Sequence, residues 1–108
     1  MQKKLSFSKP LVSLVLSGEK TSTWRLWDDK GIERGDTLYL LESGTGIHFA
    51  TAKVIKVLVK KMGRLSQKDK EGHEKFKSDL EMYETYSGYY KRRVTPNSGV
   101  KIIWFELV

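Results

Sequence analysis

Cysteine is absent from this sequence, and proline occurs only twice, at Pro10 and Pro96. Without cysteine the chain can form neither disulfides nor thiolate metal sites. No apolar run approaches the length that a bilayer-crossing helix needs. The basic first residues are not followed by an apolar stretch of signal-peptide length. We therefore expect a cytoplasmic protein that has no membrane partner.

The residues that are present favour a globular protein with a positive charge. The length of 108 residues allows one domain, spanning 1–108, and 39% hydrophobic with 31% charged residues is typical of soluble globular chains. Twenty Lys and Arg against thirteen Asp and Glu give a net charge of +7. Such a charge attracts polyanions such as RNA, but it also simply maintains solubility. Charge alone therefore does not identify a function.

The hydrophobic pattern predicts five strands and two helices in the order β-α-β-β-β-α-β. Strands are expected at Leu5–Phe7, Thr21–Trp27, Thr37–Leu41, Ile47–Val59 and Val100–Val108, and the first helix at Pro10–Ser17. Ile47–Val59 exceeds the usual strand length, so a bend or bulge is expected within it. Val100–Val108 is apolar on both faces, which indicates a central strand. The fold class is α+β, with helices attached to a mostly antiparallel sheet.

Turn and helix-boundary signals separate these elements. Gly18 is expected to end the first helix in a left-handed conformation. Turns are predicted at Asp28–Gly31, Arg34–Asp36 and Ser43–Gly46, the last being glycine-rich but lacking the spacing of a phosphate-binding loop. Ser66 with Asp69 resembles a helix start, and Ser78 with Glu81 is a capping box. Leu80, Tyr83 and Tyr90 would form the apolar stripe of the second helix.

The most informative segment is Gly18–Arg25, where a helix ends and a strand begins. Side chains alternate along a strand, so Trp24 and Leu26 should face the core while Thr21, Thr23 and Arg25 face outward. Lys20, next to Gly18, can swing round to join them. Arginine offers a planar fork for phosphate or carbonyl oxygens, and a partly desolvated lysine becomes a usable base. A threonine can donate a hydrogen bond or act as a nucleophile. The alternative is a solvated strand face with an incidental basic pair.

The pattern Gly18-x-Lys20-x-x-Thr23-x-Arg25 resembles the GxKxxxxR signature of the ASCH domain, a PUA-like family. The resemblance covers nearly the whole chain, because a short helix precedes the motif and a strand closes the sequence. It implies a small, mostly antiparallel PUA-like β-barrel with two or three peripheral helices. It further implies a cleft that is lined by the motif and associated with RNA.

One branch of this family removes the acetyl group from 4-acetylcytidine with a Lys, Thr and Glu triad. Lys20 and Thr23 match that branch directly, and Glu71, or alternatively Glu74, would supply the glutamate. By this resemblance, Thr23 would attack the acetyl carbonyl after Lys20 accepts its proton. The glutamate would protonate the leaving amine or position water, and Arg25 would hold the ligand.

Aromatic and basic residues beside the second helix form a further candidate for ligand or RNA contact. The residues considered are Tyr86, Tyr89, Tyr90, Lys91, Arg92 and Arg93, together with Thr21. Interleaved rings and cations can stack bases and follow a phosphate backbone. Tyr83 is expected in the core instead, and Tyr89 and Tyr90 could belong to either class. His73 could point into the cleft if Glu71 does, but it is expected instead to be a partly exposed helix residue.

Three functions thus remain open at this point. The first is hydrolysis of an acylated nucleoside, the second is non-catalytic RNA binding, and the third is RNA cleavage with Lys20 and Arg25 stabilising the phosphate. The only histidines, His48 and His73, do not form a metal-binding set in a chain without cysteine. We expect no metal and no cofactor, and RNA or a modified nucleoside as the partner.

Overall fold

The computed structural model describes residues 2–27 and 30–108, so half of the turn predicted at 28–31 lies outside the described residues. The described residues form β1 (Gln2–Phe7), α1 (Lys9–Ser17), β2 (Ser22–Leu26), β3 (Thr37–Glu42), β4 (His48–Lys61), a 3-10 turn (Met62–Arg64), α2 (Asp79–Tyr90) and β5 (Gly99–Leu107). The predicted order and the α+β class are confirmed. Neither α-helix in the described part of the chain has the length and apolarity that a membrane crossing requires.

The strands form one sheet in the order β1-β3-β4-β5-β2. β1 runs parallel to β3, and every other pair is antiparallel. The sheet curls into a half-barrel, with β1 and β2 as its edges. β5 lies between β4 and β2, which agrees with the interior position predicted from its apolar residues.

The long strand β4 contains the irregularity that its length predicted. Its register against β5 shifts between Val54 and Lys56, so the intervening Ile55 is left out of the ladder. Ile55 is 47% exposed although it is apolar. A bulge of this kind bends a strand and increases its twist, which helps the sheet to curl.

Helix α1 ends as the sequence predicted. Pro10 lies in its first turn, where the missing N–H costs nothing. Gly18 adopts φ 83°, and its N–H donates to the Val15 carbonyl at 3.2 Å. The Lys20 N–H then donates to the Leu14 carbonyl at 3.0 Å. These backbone bonds fold the chain back and place Lys20 two residues before β2.

The buried apolar residues in the described part of the chain form two clusters. One cluster joins α1, through Val15, to β1, β3 and β4. The other joins α2, through Met82 and Tyr86, to β2 and β5. Trp24 and Leu26 belong to the second cluster and are each at most 2% exposed, which confirms the predicted pleat of β2.

The predicted helix start at Ser66 and Asp69 is wrong. The two residues do form reciprocal bonds: the Ser66 N–H donates to Asp69 Oδ2 at 2.9 Å, and the Asp69 N–H donates to Ser66 Oγ at 3.2 Å. The chain nevertheless makes only turns here, and Gly72 adopts φ 77°. Asp69 also accepts a hydrogen bond from Lys60 at 2.6 Å, so the motif fastens a loop to β4.

Helix α2 begins as predicted but presents a different face. Ser78 Oγ accepts from the Glu81 N–H at 3.1 Å, which confirms this residue as the cap. Leu80 is 65% exposed, so its place in the apolar stripe is wrong. Met82 and Tyr86 are the buried residues of the helix, with Tyr83 and Tyr90 partly buried beside them.

Candidate functional site

A cavity of about 510 Å³ lies between the two edge strands of the sheet. Its walls come from β1, β2, the start of α1, the 66–78 loop and α2. The residues that matter for its chemistry are Ser6, Phe7, Lys20, Thr23, Trp24, Arg25, Glu74, Tyr86, Tyr89 and Tyr90. The volume falls within the range of small-molecule sites, about 300–1,000 Å³. Lys20, Thr23 and Arg25 therefore line one hollow.

Lys20 is buried, with only 3% of its surface exposed. Its Nζ lies 2.6 Å from Glu74 Oε2. Burial lowers the pKa of Lys20 from 10.5, and although Glu74 raises it, the nearby Arg25 charge lowers it further, leaving a net decrease. A lysine with a lowered pKa holds a larger neutral fraction near pH 7, which is the form that can accept a proton.

Thr23 and Arg25 are joined on the same face of β2. Arg25 Nη1 donates to Thr23 Oγ1 at 2.9 Å, and Nη2 donates to the Ser6 carbonyl on β1 at 3.2 Å. The guanidinium also lies 5.4 Å from the centre of the Phe7 ring. Arg25 thus bridges the two sheet edges. Thr23 is only 2% exposed, so it reaches the cavity from a packed wall and not from an open strand face.

Of the two glutamates considered, Glu74 is the one beside Lys20. Burial opposes its ionisation, but the charges of His73, when protonated, and of Lys20 outweigh burial, and the pKa of Glu74 is lowered. Glu71 is exposed and lines a different cavity, of about 730 Å³, that also borders the 66–78 loop. Its backbone carbonyl accepts from Ser22 Oγ at 3.2 Å. The geometry therefore favours Glu74 for the third position.

The expectation that His73 is a partly exposed helix residue is wrong. His73 lies in the loop before α2 and is 7% exposed. Its ring stacks on Trp24 with centroids 3.8 Å apart and a 17° angle between planes. Burial, with a contribution from the Lys20 charge, lowers the pKa of His73 to about 4. The residue is neutral near pH 7.

The aromatic and basic residues around α2 are divided between the cavity and the surface. Tyr89 is 64% exposed and Tyr90 is partly buried, and both line the cavity. Tyr90 Oη accepts from the Leu26 N–H at 3.0 Å. Three exposed cations, Lys91, Arg92 and Arg93, lie outside the cavity lining. Thr21 is also outside it, with its hydroxyl towards Gly72.

A comparison of the sequence with models of protein families identifies the family of this chain. The model of the ASCH domain matches residues 5–107. The chain belongs to the ASCH-domain family. No curated protein sequence matched this ASCH domain.

Solved structures agree with that assignment at the level of the fold. The hypothetical protein PH0355 is 23% identical, with a TM-score of 0.78 and full coverage of both chains. An ASCH domain from Lactobacillus crispatus is 14% identical, with a TM-score of 0.75, covering 98% of this chain and 79% of that one. PF0455 from Pyrococcus furiosus is 20% identical, with a TM-score of 0.69, covering 100% and 98% respectively.

Two residues near the cavity of the ASCH domain were misplaced or missed by sequence reasoning. His73 was considered for the cleft but was expected on an exposed helix face, although Gly72 before it is a signal for a loop and not a helix. Trp27 was treated only as the end of a strand. It is 41% exposed, and the Arg92 guanidinium lies 4.1 Å from its ring centre. An aromatic residue at the end of an edge strand, followed by a turn, is the signal that could have indicated it.

Proposed function

We propose that this ASCH domain hydrolyses the acetyl amide of 4-acetylcytidine or a related acylated nucleoside. The observation that carries the proposal is the buried Lys20 amine, 2.6 Å from Glu74, in a cavity that Thr23 also lines. Burial lowers the pKa of Lys20, which increases the fraction of neutral amine that can act as a base. Phe7, Tyr86 and Tyr89 add aromatic walls, which suit a nucleobase.

The first half of the reaction transfers the acetyl group to the protein. Neutral Lys20 takes the proton of Thr23 as Oγ1 attacks the acetyl carbonyl and a C–O bond forms. Because Arg25 donates to Thr23 Oγ1, the hydroxyl keeps its own hydrogen for the base. The amide C–N bond then breaks, and the Lys20 ammonium returns the proton to the exocyclic amine. Cytidine leaves, and the acetyl group remains as an ester on Thr23.

The second half restores the protein. Water adds to the ester carbonyl and gives a proton to Lys20. The C–O bond to Thr23 breaks, Lys20 returns that proton to Oγ1, and acetate leaves with one proton released to solvent. Glu74 holds the Lys20 amine in place through both halves and accepts a hydrogen bond from it at 2.6 Å. General acid–base assistance of this kind contributes about 100- to 10,000-fold.

The test is cytidine release from 4-acetylcytidine by the purified protein, followed by chromatography. Lys20→Ala and Glu74→Gln should each reduce turnover by at least about 100-fold, because each removes a group that handles or holds the proton. Glu71→Gln is the matched control, since that carboxylate is exposed and lines the other cavity. Turnover that survives both Lys20→Ala and Glu74→Gln would overturn the proposal.

A second candidate, non-catalytic RNA binding, is favoured by the surface beside the cavity mouth. Tyr89 is exposed, and Arg92 stacks over the exposed Trp27, which itself packs edge-on against Tyr90 at 5.4 Å. Such rings can stack bases of a single strand. Under this function, Tyr89→Ala and Arg92→Ala would weaken RNA binding while no acetyl amide is hydrolysed and the RNA stays intact. Shortened RNA would instead indicate cleavage.

A further inference from the structure

We infer that His73 is a positioning residue that holds the Glu74 carboxylate against Lys20, an inference that rests on the proposed function. His73 touches neither substrate nor reacting atoms in this scheme. From the loop between β4 and α2, its ring contacts Glu74, which holds the Lys20 amine. The contacts of its two nitrogens and of its face together fix one orientation.

The hydrogen bonds of His73 define a single tautomer. Nδ1 lies 2.8 Å from the Glu74 backbone carbonyl and 3.6 Å from its carboxylate oxygen Oε2. A carbonyl oxygen can only accept, so Nδ1 carries the hydrogen. Nε2, 2.8 Å from Tyr86 Oη, then has only a lone pair and must accept the tyrosine hydrogen. The Nδ1–H therefore donates to the Glu74 carbonyl, while the carboxylate at 3.6 Å is beyond hydrogen-bond distance, so His73 positions Glu74 through its backbone.

Three separate elements hold the ring. Trp24 of β2 stacks on its face, Tyr86 of α2 fixes Nε2, and the Glu74 carbonyl fixes Nδ1. A flipped ring would turn C–H groups towards both hydrogen-bonding partners and lose both hydrogen bonds. Contacts with the sheet and with α2 thus fix the orientation of His73. Because His73 donates to the Glu74 backbone carbonyl, the position of Glu74 is fixed as well.

A neutral ring suits this position for electrostatic reasons. The charged groups that face His73 are Lys20, Glu74 and Arg25. A second positive charge beside Lys20 would compete with it for Glu74. A neutral ring adds no such charge and leaves the Glu74 carboxylate paired with Lys20 at 2.6 Å.

His73→Phe and His73→Asn separate positioning from packing. Phenylalanine keeps a flat ring against Trp24 but removes both hydrogen bonds, whereas the asparagine amide can restore a donor near the position of Nδ1. The readout is the pKa of Lys20, followed by NMR of its side chain. Glu74 raises the pKa of Lys20, so His73→Phe should lower it, and His73→Asn should return it towards the wild-type value.

Kinetics supply the second readout. In His73→Phe we expect kcat to fall between about 10- and 100-fold with little change in KM, because a misplaced group costs rate more than binding. The inflection of the pH–rate profile should move to lower pH together with the Lys20 pKa. The control is His48→Phe, since His48 is exposed and lies on β4, outside the cavity.

The outcomes distinguish the two proposals. If the wild-type protein releases no cytidine, the proposed function fails, and the Lys20 titration still decides the role of His73. An unchanged Lys20 pKa in folded His73→Phe would overturn the inference. If that variant does not fold, the imidazole ¹⁵N shifts of wild-type His73 decide instead: a hydrogen on Nδ1 supports the inference, and one on Nε2 contradicts it.

Discussion

Lysine side chains are seldom buried in proteins. The burial of Lys20 lowers its pKa and so changes the acid–base properties of the cavity. The amine has one carboxylate partner, Glu74, and a guanidinium, Arg25, close enough to oppose its charge. Water could no longer stabilise the ammonium fully, so its proton is held less firmly than in a solvated lysine. This environment makes Lys20 better able to act as a proton acceptor than a solvated lysine.

The pH dependence of turnover tests that environment directly. We expect kcat/KM to rise with pH and to level off above an inflection that lies below 10.5, the ordinary lysine pKa, because only neutral Lys20 accepts the proton. Lys20→Arg should remove the activity, since a guanidinium does not lose its proton in this range. A wild-type profile that does not rise with pH towards this inflection would contradict the assignment of Lys20 as the base.

Asp36 provides a prediction about stability at the same scale. The hydrogen bond from Lys3, at 2.8 Å, and one from the Glu33 N–H lower the pKa of Asp36 to about 2. The folded pKa of Asp36 lies below the ordinary value of 3.8, so this stabilisation is complete above about pH 4 and is lost as pH falls towards 2.

Asp36→Asn should therefore lower the free energy of unfolding at pH 7 by about 2 kcal/mol and flatten its decrease in acid. Chemical denaturation between pH 2 and pH 7 measures both effects. Glu106→Gln, at an exposed position on β5, is the control and should change little. Equal acid sensitivity in Asp36→Asn and wild type would show that another carboxylate is responsible.

At the scale of elements, two glycines with opposite roles test the helix boundaries. Gly18 ends α1 at φ 83°, whereas Gly88 lies inside α2 with open space around the position of a Cβ. Gly18→Ala should destabilise the fold by about 1 kcal/mol, because alanine is strained in the left-handed region. Gly88→Ala should stabilise it by a similar amount through helix propensity. Thermal unfolding compares the two, and stabilisation by both would contradict the assigned cap.

Elements with local determinants were predictable from the sequence. Pro10 and Gly18 bracket α1, Ser78 caps α2, and the length of the strand around Ile55 indicated its bulge. Each of these signals affects only residues close to it in the sequence. The pleat that sends Trp24 inward and Arg25 towards the cavity is likewise a local consequence of strand geometry.

Elements determined by distant contacts were not predictable. Ser66 and Asp69 make the bonds of a helix cap, yet Asp69 is also held by Lys60 and the chain continues as a loop. Leu80 looked buried by periodicity, but the orientation of α2 is set by the packing of Met82 and Tyr86. The choice of Glu74 over Glu71 depends on that same loop, so single-sequence reasoning left it open.

At the scale of the whole molecule, the cavity is a consequence of how the sheet curls. β1 and β2 are far apart in strand order but come close enough for Arg25 to reach the Ser6 carbonyl. Two apolar clusters, one under each helix, support the two sides of the resulting gap. The catalytic proposal thus depends on the edges of the sheet remaining unpaired with each other.

The net charge of +7 is relevant to whether the substrate is acylated RNA or only the free acylated nucleoside. If acylated RNA and not only the free nucleoside is used, its affinity should fall steeply with added salt, because phosphate contacts release counterions. Arg92→Ala should reduce the slope of log KM against log salt concentration by about the amount of one phosphate contact. The KM for the free nucleoside should change little. KM measured for both substrates across a salt series tests this. A salt-independent KM for RNA would exclude phosphate contacts.

The proposed chemistry as a whole depends most directly on the Thr23 hydroxyl. Thr23→Val replaces that hydroxyl by a methyl group of nearly the same volume in a position that is 2% exposed, while Thr23→Ser keeps the oxygen. The measurement is the rate of cytidine release from 4-acetylcytidine by the two variants, each checked for folding. We predict that the valine variant loses at least about 100-fold in kcat and that the serine variant retains measurable turnover. A valine variant as active as wild type would contradict the account.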